Sequence, residues 1–232
     1  MIEHPPKLTL REDWPRPTPA QIAAFESVPA SIVSDAMMGR GVLDGAISPV
    51  LVEDHVPRHV VGAALPAENP PGAIVATLAA LACAQPGDVL VISVSGGQGM
   101  AAVGDRVAGM FRNAGGVGIV TDGPVRDADG LAEVGLPVWA TGLTPATPHD
   151  NGPGRTGLPM TMAGQRIGPG DLVVADRDGV VIVPFEEIDA VAVRVKEVRA
   201  LEDALDARVR DEGLTVPEGI AEFLRSDDVK RV

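Results

Sequence analysis

Aromatic side chains are scarce in this chain: its 232 residues hold no tyrosine, four phenylalanines and two tryptophans. Packing must therefore rest on Val, Leu, Ile, Ala and Met. With 45% hydrophobic and 22% charged residues, the composition is globular and the length is enough for a substantial core. A single cysteine, Cys83, excludes an internal disulfide framework. It lies in the apolar stretch Gly72-Ala-Ile-Val-Ala-Thr-Leu-Ala-Ala-Leu-Ala-Cys-Ala84, where a buried, inert thiol is expected. That stretch is much shorter than the roughly 20 residues that span a bilayer, so it reads as a core helix and no membrane partner is expected. The start, Met1-Ile-Glu-His-Pro-Pro-Lys7, lacks a basic flank followed by an apolar run, so no secretory signal is apparent and a cytoplasmic location is expected.

Positive charge is also in short supply. Lys and Arg number 19 against 32 Asp and Glu, a net charge of −13. This argues against a general binder of nucleic-acid backbones, whose affinity rests on Lys and Arg, and would suit a basic protein segment. No Ser/His/Asp order and no Gly-x-Ser-x-Gly elbow appears, so serine hydrolysis has no support. The four histidines, His4, His55, His59 and His149, make no helical metal pair, because Pro57 interrupts His55 and His59.

What is present is a run of alternating elements with charged residues at their junctions. Asp88-Val-Leu-Val-Ile-Ser93 is short, apolar and β-branched, hence a buried strand, broken by Ser95-Gly-Gly-Gln-Gly99. Asp105 to Asn113 has helical spacing in Val107, Met110 and Phe111, with Gly115-Gly116 as the stop. Val117 to Thr121 reads as a second buried strand and Ala128 to Val134 as a short helix. Earlier, helices are expected at Pro19–Glu26 and Ala30–Met38, and strands of an antiparallel or mixed sheet within 47–65. Leu143 to Leu158 reads as a loop. Strands are expected at Pro159–Ala163, Leu172–Ala175 and Val180–Val183, with tight turns at Gly168-Pro-Gly170 and Asp178-Gly179. Pro184 opens a long helix with a stripe of Ile188, Val191, Val195, Val198, Leu201, Leu205 and Val209, a core face or an oligomer seam. One α/β domain with mixed strands is expected over residues 1–232, with an extended arm at 1–18 and a C-terminal helix and tail at 185–232.

The most informative spacing is Gly104-Asp105, twenty intervening residues, then Arg126-Asp127. If strand, helix and strand form a right-handed crossover, these groups converge at the carboxyl edge of the sheet, where open α/β folds hold ligands. The helix start would offer the backbone N–H groups of Arg106 and Val107 to an anion such as a substrate carboxylate. Asp127 could hold a divalent metal directly and Asp105 a metal-bound water, which fits a hard cation such as Mg²⁺ or Mn²⁺ that keeps part of its hydration shell. Arg126 could polarise a ketone oxygen or stabilise an enolate. The same residues also suit plain structural roles: Asp105 as an N-cap, Asp127 as the cap of the next helix, Arg126 as their ion-pair partner. No lysine joins the cluster, since Lys7 sits in the arm and Lys196 on the terminal helix, which points away from imine chemistry. A competing reading is a dinucleotide site, from Gly97-Gln-Gly-Met-Ala-Ala102 after a strand and Asp122 after the next; it would start the helix near Gly99.

The run Gly104-Asp105 … Gly116-Val-Gly-Ile-Val-Thr-Asp-Gly-Pro-Val-Arg-Asp127, followed by Leu136-Pro-Val-Trp-Ala-Thr-Gly142, resembles the class II pyruvate aldolases typified by 4-hydroxy-4-methyl-2-oxoglutarate aldolase, a family that also contains RraA-type regulators of ribonuclease E. Further similarity lies in Ser34-Asp-Ala-Met37, Ala84-Gln-Pro-Gly-Asp-Val-Leu-Val91 and Ile167 to Pro184, so the resemblance covers roughly 27–213. It implies the swivelling β/β/α fold of the RraA-like group, assembled as trimers or pairs of trimers. It further implies a lyase that cleaves 4-hydroxy-2-oxo acids and releases pyruvate, with oxaloacetate decarboxylation as a second activity. Arg126 then matches the arginine at the keto oxygen, Asp127 the metal ligand and Asp105 the carboxylate that orients metal waters. A carboxylate from a neighbouring subunit completes the site; Glu202 fits best, with Glu197 and Asp203 as alternatives. Arg106 departs from the small or apolar residue usual after the acidic position, implying a narrower pocket or a more anionic substrate. The other reading within the same resemblance is a non-catalytic regulator that binds a ribonuclease or another basic protein.

Overall fold

The computed structural model describes residues 6–149 and 152–231, so His4 and the first residues of the expected arm lie outside it. The chain packs as two compact units, one through Val195 and one from Lys196 onward. In order, the elements are β1 (Leu8–Leu10), α1 (Pro19–Ala23), α2 (Ala30–Ala36), β2 (Ser48–Pro49), β3 (Val60–Glu68), α3 (Val75–Cys83), β4 (Asp88–Ser93), α4 (Asp105–Asn113), β5 (Gly118–Thr121), α5 (Ala128–Val134), β6 (Val138–Ala140), β7 (Gly154–Thr156), β8 (Met160–Met162), β9 (Gln165–Ile167), β10 (Leu172–Ala175), β11 (Val180–Val183), α6 (Ile188–Asp211) and α7 (Ile220–Phe223).

Strands β3, β4, β5 and β6 run parallel and adjacent, each joined to the next by one helix: α3, α4 and α5 in turn. Because strand side chains alternate between faces, each of these strands feeds two cores. Leu90, Ile92, Ile119 and Val138 pack with Ala76, Ala80, Ala108, Phe111 and Leu131 of the three helices. Val89, Val91, Val120 and Trp139 pack on the other face with Met160, Met162, Ile167, Val173 and Ile182. A parallel sheet covered on both faces reads as continuous apolar runs, which is why β4 shows no alternation in sequence. The layers are helix, sheet and a second set of strands, a mixed α/β arrangement.

Strand β3 is the longest and joins these parts. One edge pairs with β4 along its length; the other takes β10 antiparallel at Val60–Ala63 and β7 antiparallel at Ala67–Glu68. The segment expected to be a loop at Leu143 to Leu158 thus contains a strand, β7, too short and too rich in Gly and Thr to show periodicity. The N-terminal arm contributes β1, parallel to β7. Beyond it, Arg16 reaches the buried Asp88 carboxylate with Nε–Oδ1 and Nη2–Oδ2 distances of 2.9 and 3.1 Å, and its guanidinium stacks 4.4 Å from the Trp14 ring centre. Cys83 is only half-buried, because it ends α3 beneath this arm. Burial pushes its thiol up, as do Glu12 and Asp88, against the pull of Arg16. Among the described residues no helix is long and apolar enough to cross a membrane.

The β9–β10 turn carries a buried carboxylate. Asp171 accepts from the Gly168 and Phe185 N–H groups at 2.6 and 2.9 Å. Burial raises its pKa above the usual carboxylate range, more than those two N–H groups lower it. A carboxyl whose folded pKa exceeds its unfolded one stabilises most below the unfolded pKa, about 3.9, and that contribution is lost as pH rises through the folded value. We therefore expect the stability of Asp171→Asn, relative to the wild type, to move in the variant's favour between pH 3.5 and neutrality (roughly the span over which a raised carboxylate titrates). Urea denaturation at several pH values checks this, and an unchanged difference refutes it.

Candidate active site

Because β4, β5 and β6 run parallel and α4 and α5 follow β4 and β5 in the chain, both helices start at the carboxyl edge of the strands. Two loops are stitched there by backbone hydrogen bonds: Ala102 N to Pro124 O at 2.8 Å and Arg126 N to Val103 O at 3.1 Å. On the far side Val125 N donates to Gly142 O and Thr144 N to Val125 O, both at 2.9 Å. Residues 124–126 are thus clamped between two neighbours, and Arg126-Asp127 is delivered beside Gly104-Asp105.

Asp127 stands at the N-cap position of α5 with φ 62 and ψ 50, the left-handed region, and its side chain makes no cap hydrogen bond. Both of its oxygens instead accept from Arg126 Nε, at 3.1 and 3.0 Å. The two side chains are 34% and 35% exposed. Left-handed backbone is uncommon for a residue with a Cβ, and it turns this carboxylate away from the helix it would otherwise cap. Gly104 makes room for it: a Cβ there would sit 2.5 Å from Asp127 Oδ2 and 2.9 Å from Arg126 Cγ.

Asp105 is the first residue of α4, and Gly104 is its N-cap. The Asp105 Oδ1 atom accepts the N–H of Arg106 at 2.7 Å, so of the two amides expected to be free for an anion, that of Arg106 is engaged. The rest of the Asp105 side chain lies over α5, where a Cβ on Gly130 would meet its Oδ2, Cβ and Cγ at 2.6, 2.8 and 3.0 Å. An open cleft of ≈ 360 Å³ is lined by these groups together with Val103, Arg106, Val107, Ile74, Thr147 and Pro148. Among the described residues no cluster of three or more His, Cys, Asp or Glu side chains forms. The cleft's own donors are two carboxylates. That is the kind of hard oxygen set Mg²⁺ accepts, since this ion usually keeps several waters and one or two protein carboxylates.

A family profile described as RraA-like, Aldolase/RraA, matches residues 30–182. The chain belongs to this family. It is 33% identical over 195 residues to a Halalkalibacterium halodurans protein provisionally named 4-hydroxy-4-methyl-2-oxoglutarate aldolase, covering 84% of this chain and 91% of the relative. Among solved structures it is similar to Streptomyces coelicolor RraAS2, described as an unusual member of the RNase ES inhibitor RraA family, with TM-score 0.71, 29% identity and coverage of 83% and 100% of the two chains. The RNA-processing inhibitor RraA of Thermus thermophilis shares the fold at TM-score 0.59 and 23% identity, over 67% of this chain and 92% of that one.

In this RraA-like chain the glycine run after β4 does not open a helix. Residues 97–104 are irregular and α4 starts at Asp105, so the helix start near Gly99 that the competing dinucleotide reading needs does not form. Asp122, its candidate ribose ligand, is 8% exposed and accepts from Ser93 Oγ, Val94 N and Gly96 N at 3.1, 2.7 and 3.0 Å. It fastens the glycine loop to β5. Glu202 is exposed on the second unit.

Sequence reasoning missed Gly130, Ile74, Thr147 and Pro148. Only Gly130 carried a signal, as an interior helix glycine that needs a packing reason. Gly130→Ala gains helix propensity worth up to about 1 kcal/mol, but its Cβ meets the anchored base of Asp105. We expect a net destabilisation of about 1–3 kcal/mol, the usual scale of overpacking. Denaturant unfolding measures it, and a double-mutant cycle with Asp105→Gly should recover most of it. A stabilised Gly130→Ala protein would show that Asp105 is not held against α5.

Proposed function

We propose that the protein is a divalent-metal-dependent lyase that cleaves 4-hydroxy-2-oxo acids and releases pyruvate. The observation that carries this reading is Asp127. It is held in a left-handed conformation at a helix start, relieved of any capping role, and turned with Arg126 into an open cleft. The provisional aldolase name of the relative at 33% identity supports the same reading.

Asp127 would hold the cation directly, and Asp105 would orient its waters. Glu202 of an adjacent copy would complete the set in a trimer or hexamer. The bound cation supplies Lewis-acid polarisation of the 2-oxo acid. Arg126 approaches the ketone oxygen and its guanidinium donates more strongly as that oxygen gains charge. A water oriented by Asp105 would accept the proton of the 4-hydroxyl as the C3–C4 bond breaks, and would hold it for return to C3. The electron pair of the broken bond becomes the enolate of pyruvate and the C4 fragment leaves as a carbonyl compound. Protonation at C3 then yields pyruvate. Loss of CO₂ from oxaloacetate gives the same enolate, so decarboxylation is a second expected activity. A second reading, a regulator acting on a basic protein segment, is favoured by the likeness to RraAS2 and the charge of −13.

Pyruvate release from a panel of 4-hydroxy-2-oxo acids and from oxaloacetate should require Mg²⁺ or Mn²⁺ and stop with chelator; full turnover in excess EDTA sinks the reading. Arg126→Ala should cut turnover by about 10² or more, the scale of losing one preorganised oxyanion donor, while leaving metal affinity nearly intact. Arg126→Lys should rescue little, because an ammonium cannot reproduce a planar fork. Asp127→Ala should weaken metal binding by calorimetry, with partial recovery of rate at high metal. The reverse pattern would return Asp127 to a structural role. Light scattering should give a trimer or hexamer at micromolar concentration, and a monomer would leave Glu202 without a function.

A further inference from the structure

Two adjoining hollows lie at the other end of the parallel strands. The smaller, of ≈ 70 Å³, is lined by apolar groups, among them Leu51, Val52, Pro57, Pro137 and Trp139, and its charged lining residues are Arg58 and Arg177. It shares Pro57 and Pro137 with an open groove of ≈ 580 Å³, whose walls include Val60, Val117 and Leu136 and whose titratable groups are Glu26, His59 and Arg112. Val60 opens β3, Val117 precedes β5 and Pro137 precedes β6, so both hollows sit at the amino edge, away from Arg126 and Asp127.

The charge here runs against the rest of the chain. Three guanidinium groups and one carboxylate line the two hollows, whereas the whole sequence has 19 basic and 32 acidic residues. Arg112 has a use within the fold, since Nη1 donates to the Val134 carbonyl at the end of α5. Arg177 is exposed, and among the described residues its side chain makes no ion pair and no hydrogen bond. Arg58 meets Asp54 at 2.6 Å, but that carboxylate is 99% exposed, so the pair contributes little and exchanges readily for another carboxylate. Beside these arginines Val52 is 76% exposed. The size of the pocket decides what it takes: it is far below the roughly 300–1,000 Å³ that encloses a free small molecule, and it suits one apolar side chain. An anchor of that kind, with arginines beside it, is the usual core of a protein–protein contact.

We propose that this amino edge docks an acidic segment of another protein, which sets one apolar side chain in the pocket beside Trp139 and its carboxylates against Arg58, Arg177 and Arg112. Elsewhere the acidic surface repels such a segment, so the arginines fix where it lands. No residue of the cleft takes part, and the inference stands whether or not the lyase reading does.

Calorimetry on the full chain tests it with the acetylated, amidated peptide Gly-Glu-Asp-Glu-Leu-Glu-Asp-Glu-Gly and versions with Phe or Ser in place of Leu, or with every acid replaced by its amide. The Leu or the Phe peptide should bind the wild type, and the Ser and amide versions about tenfold more weakly, the scale of one lost anchor or of the lost charge contacts. Arg58→Ala combined with Arg177→Ala should weaken the acidic peptide about tenfold and remove most of the salt dependence seen in the wild type. Val52→Glu should weaken it as well, while Mg²⁺ affinity stays unchanged in all these variants. A wild type that binds neither the Leu nor the Phe peptide more tightly than about 1 mM overturns the proposal, and so does equal binding by the double variant. If Val52→Glu instead yields a smaller oligomer by light scattering, a second copy of this chain covers the face and the proposal falls.

Discussion

A carboxylate taken out of water must find donors or destabilise the fold, and Asp122 meets this demand in a way that shapes the whole active edge. It stands just past β5 and takes its three hydrogen bonds from the end of β4 and the loop that follows. The two central strands are thereby fastened at the edge where their chains must part. Gln98 adds a further tie, donating to the Asp122 carbonyl at 3.0 Å. With this edge fixed, the loops 101–104 and 124–126 run close enough to pair, and Gly104-Asp105 meets Arg126-Asp127. The site is built from loops, but from loops clamped by backbone bonds on both sides.

The same logic explains two glycines and one strained residue. Asp127 can lie against the start of α4 only because Gly104 has no side chain, and Asp105 can lie on α5 only because Gly130 has none. A left-handed Asp127 costs on the order of 1 kcal/mol or more, and the Arg126 pair, about a third exposed, returns little of that through water-screened attraction. An aspartate with ordinary backbone could cap α5, which Asp127 does not do; the proposed metal role would account for that.

Much of this was legible in the sequence. The strands at Asp88–Ser93, Leu172–Ala175 and Val180–Val183, the helices at Asp105–Asn113 and Ala128–Val134, and the long helix after Pro184 appear where apolar runs and turn residues put them. The convergence of Asp105 with Arg126-Asp127 was expected from a strand–helix–strand crossover, and these residues line one cleft. What could not be read was set by partners distant in sequence. β7 exists because β1 and β3 flank it, not because Gly-Arg-Thr favours a strand. Thr147 and Pro148 line the cleft from a stretch without periodicity, and the fate of the Arg106 amide depended on which aspartate oxygen reached it. The run Gly97–Ala102 matched a dinucleotide motif because composition does not say where a helix starts.

The stripe of α6 marks the limit of periodicity as a guide. Ile188, Val191 and Val195 are buried in the first unit, whereas Leu201, Leu205 and Val209 continue at the same spacing and are exposed, Leu201 by 74%. The hydrophobic repeat is unbroken across that change, because periodicity alone does not separate a core face from an exposed apolar one. Nor does charge separate them, since Arg199, Glu202, Asp203 and Asp206 are solvated around the exposed half. Apolar side chains left in water at regular spacing on a helix are a surface that association would cover, and Glu202 lies beside Leu201 and one turn from Leu205. Any assembly that buries this stripe would carry Glu202 with it. A carboxylate on such a face is the group a site with two protein carboxylates would borrow, and the proposals for the oligomer and for the metal shell therefore stand or fall on the same helix.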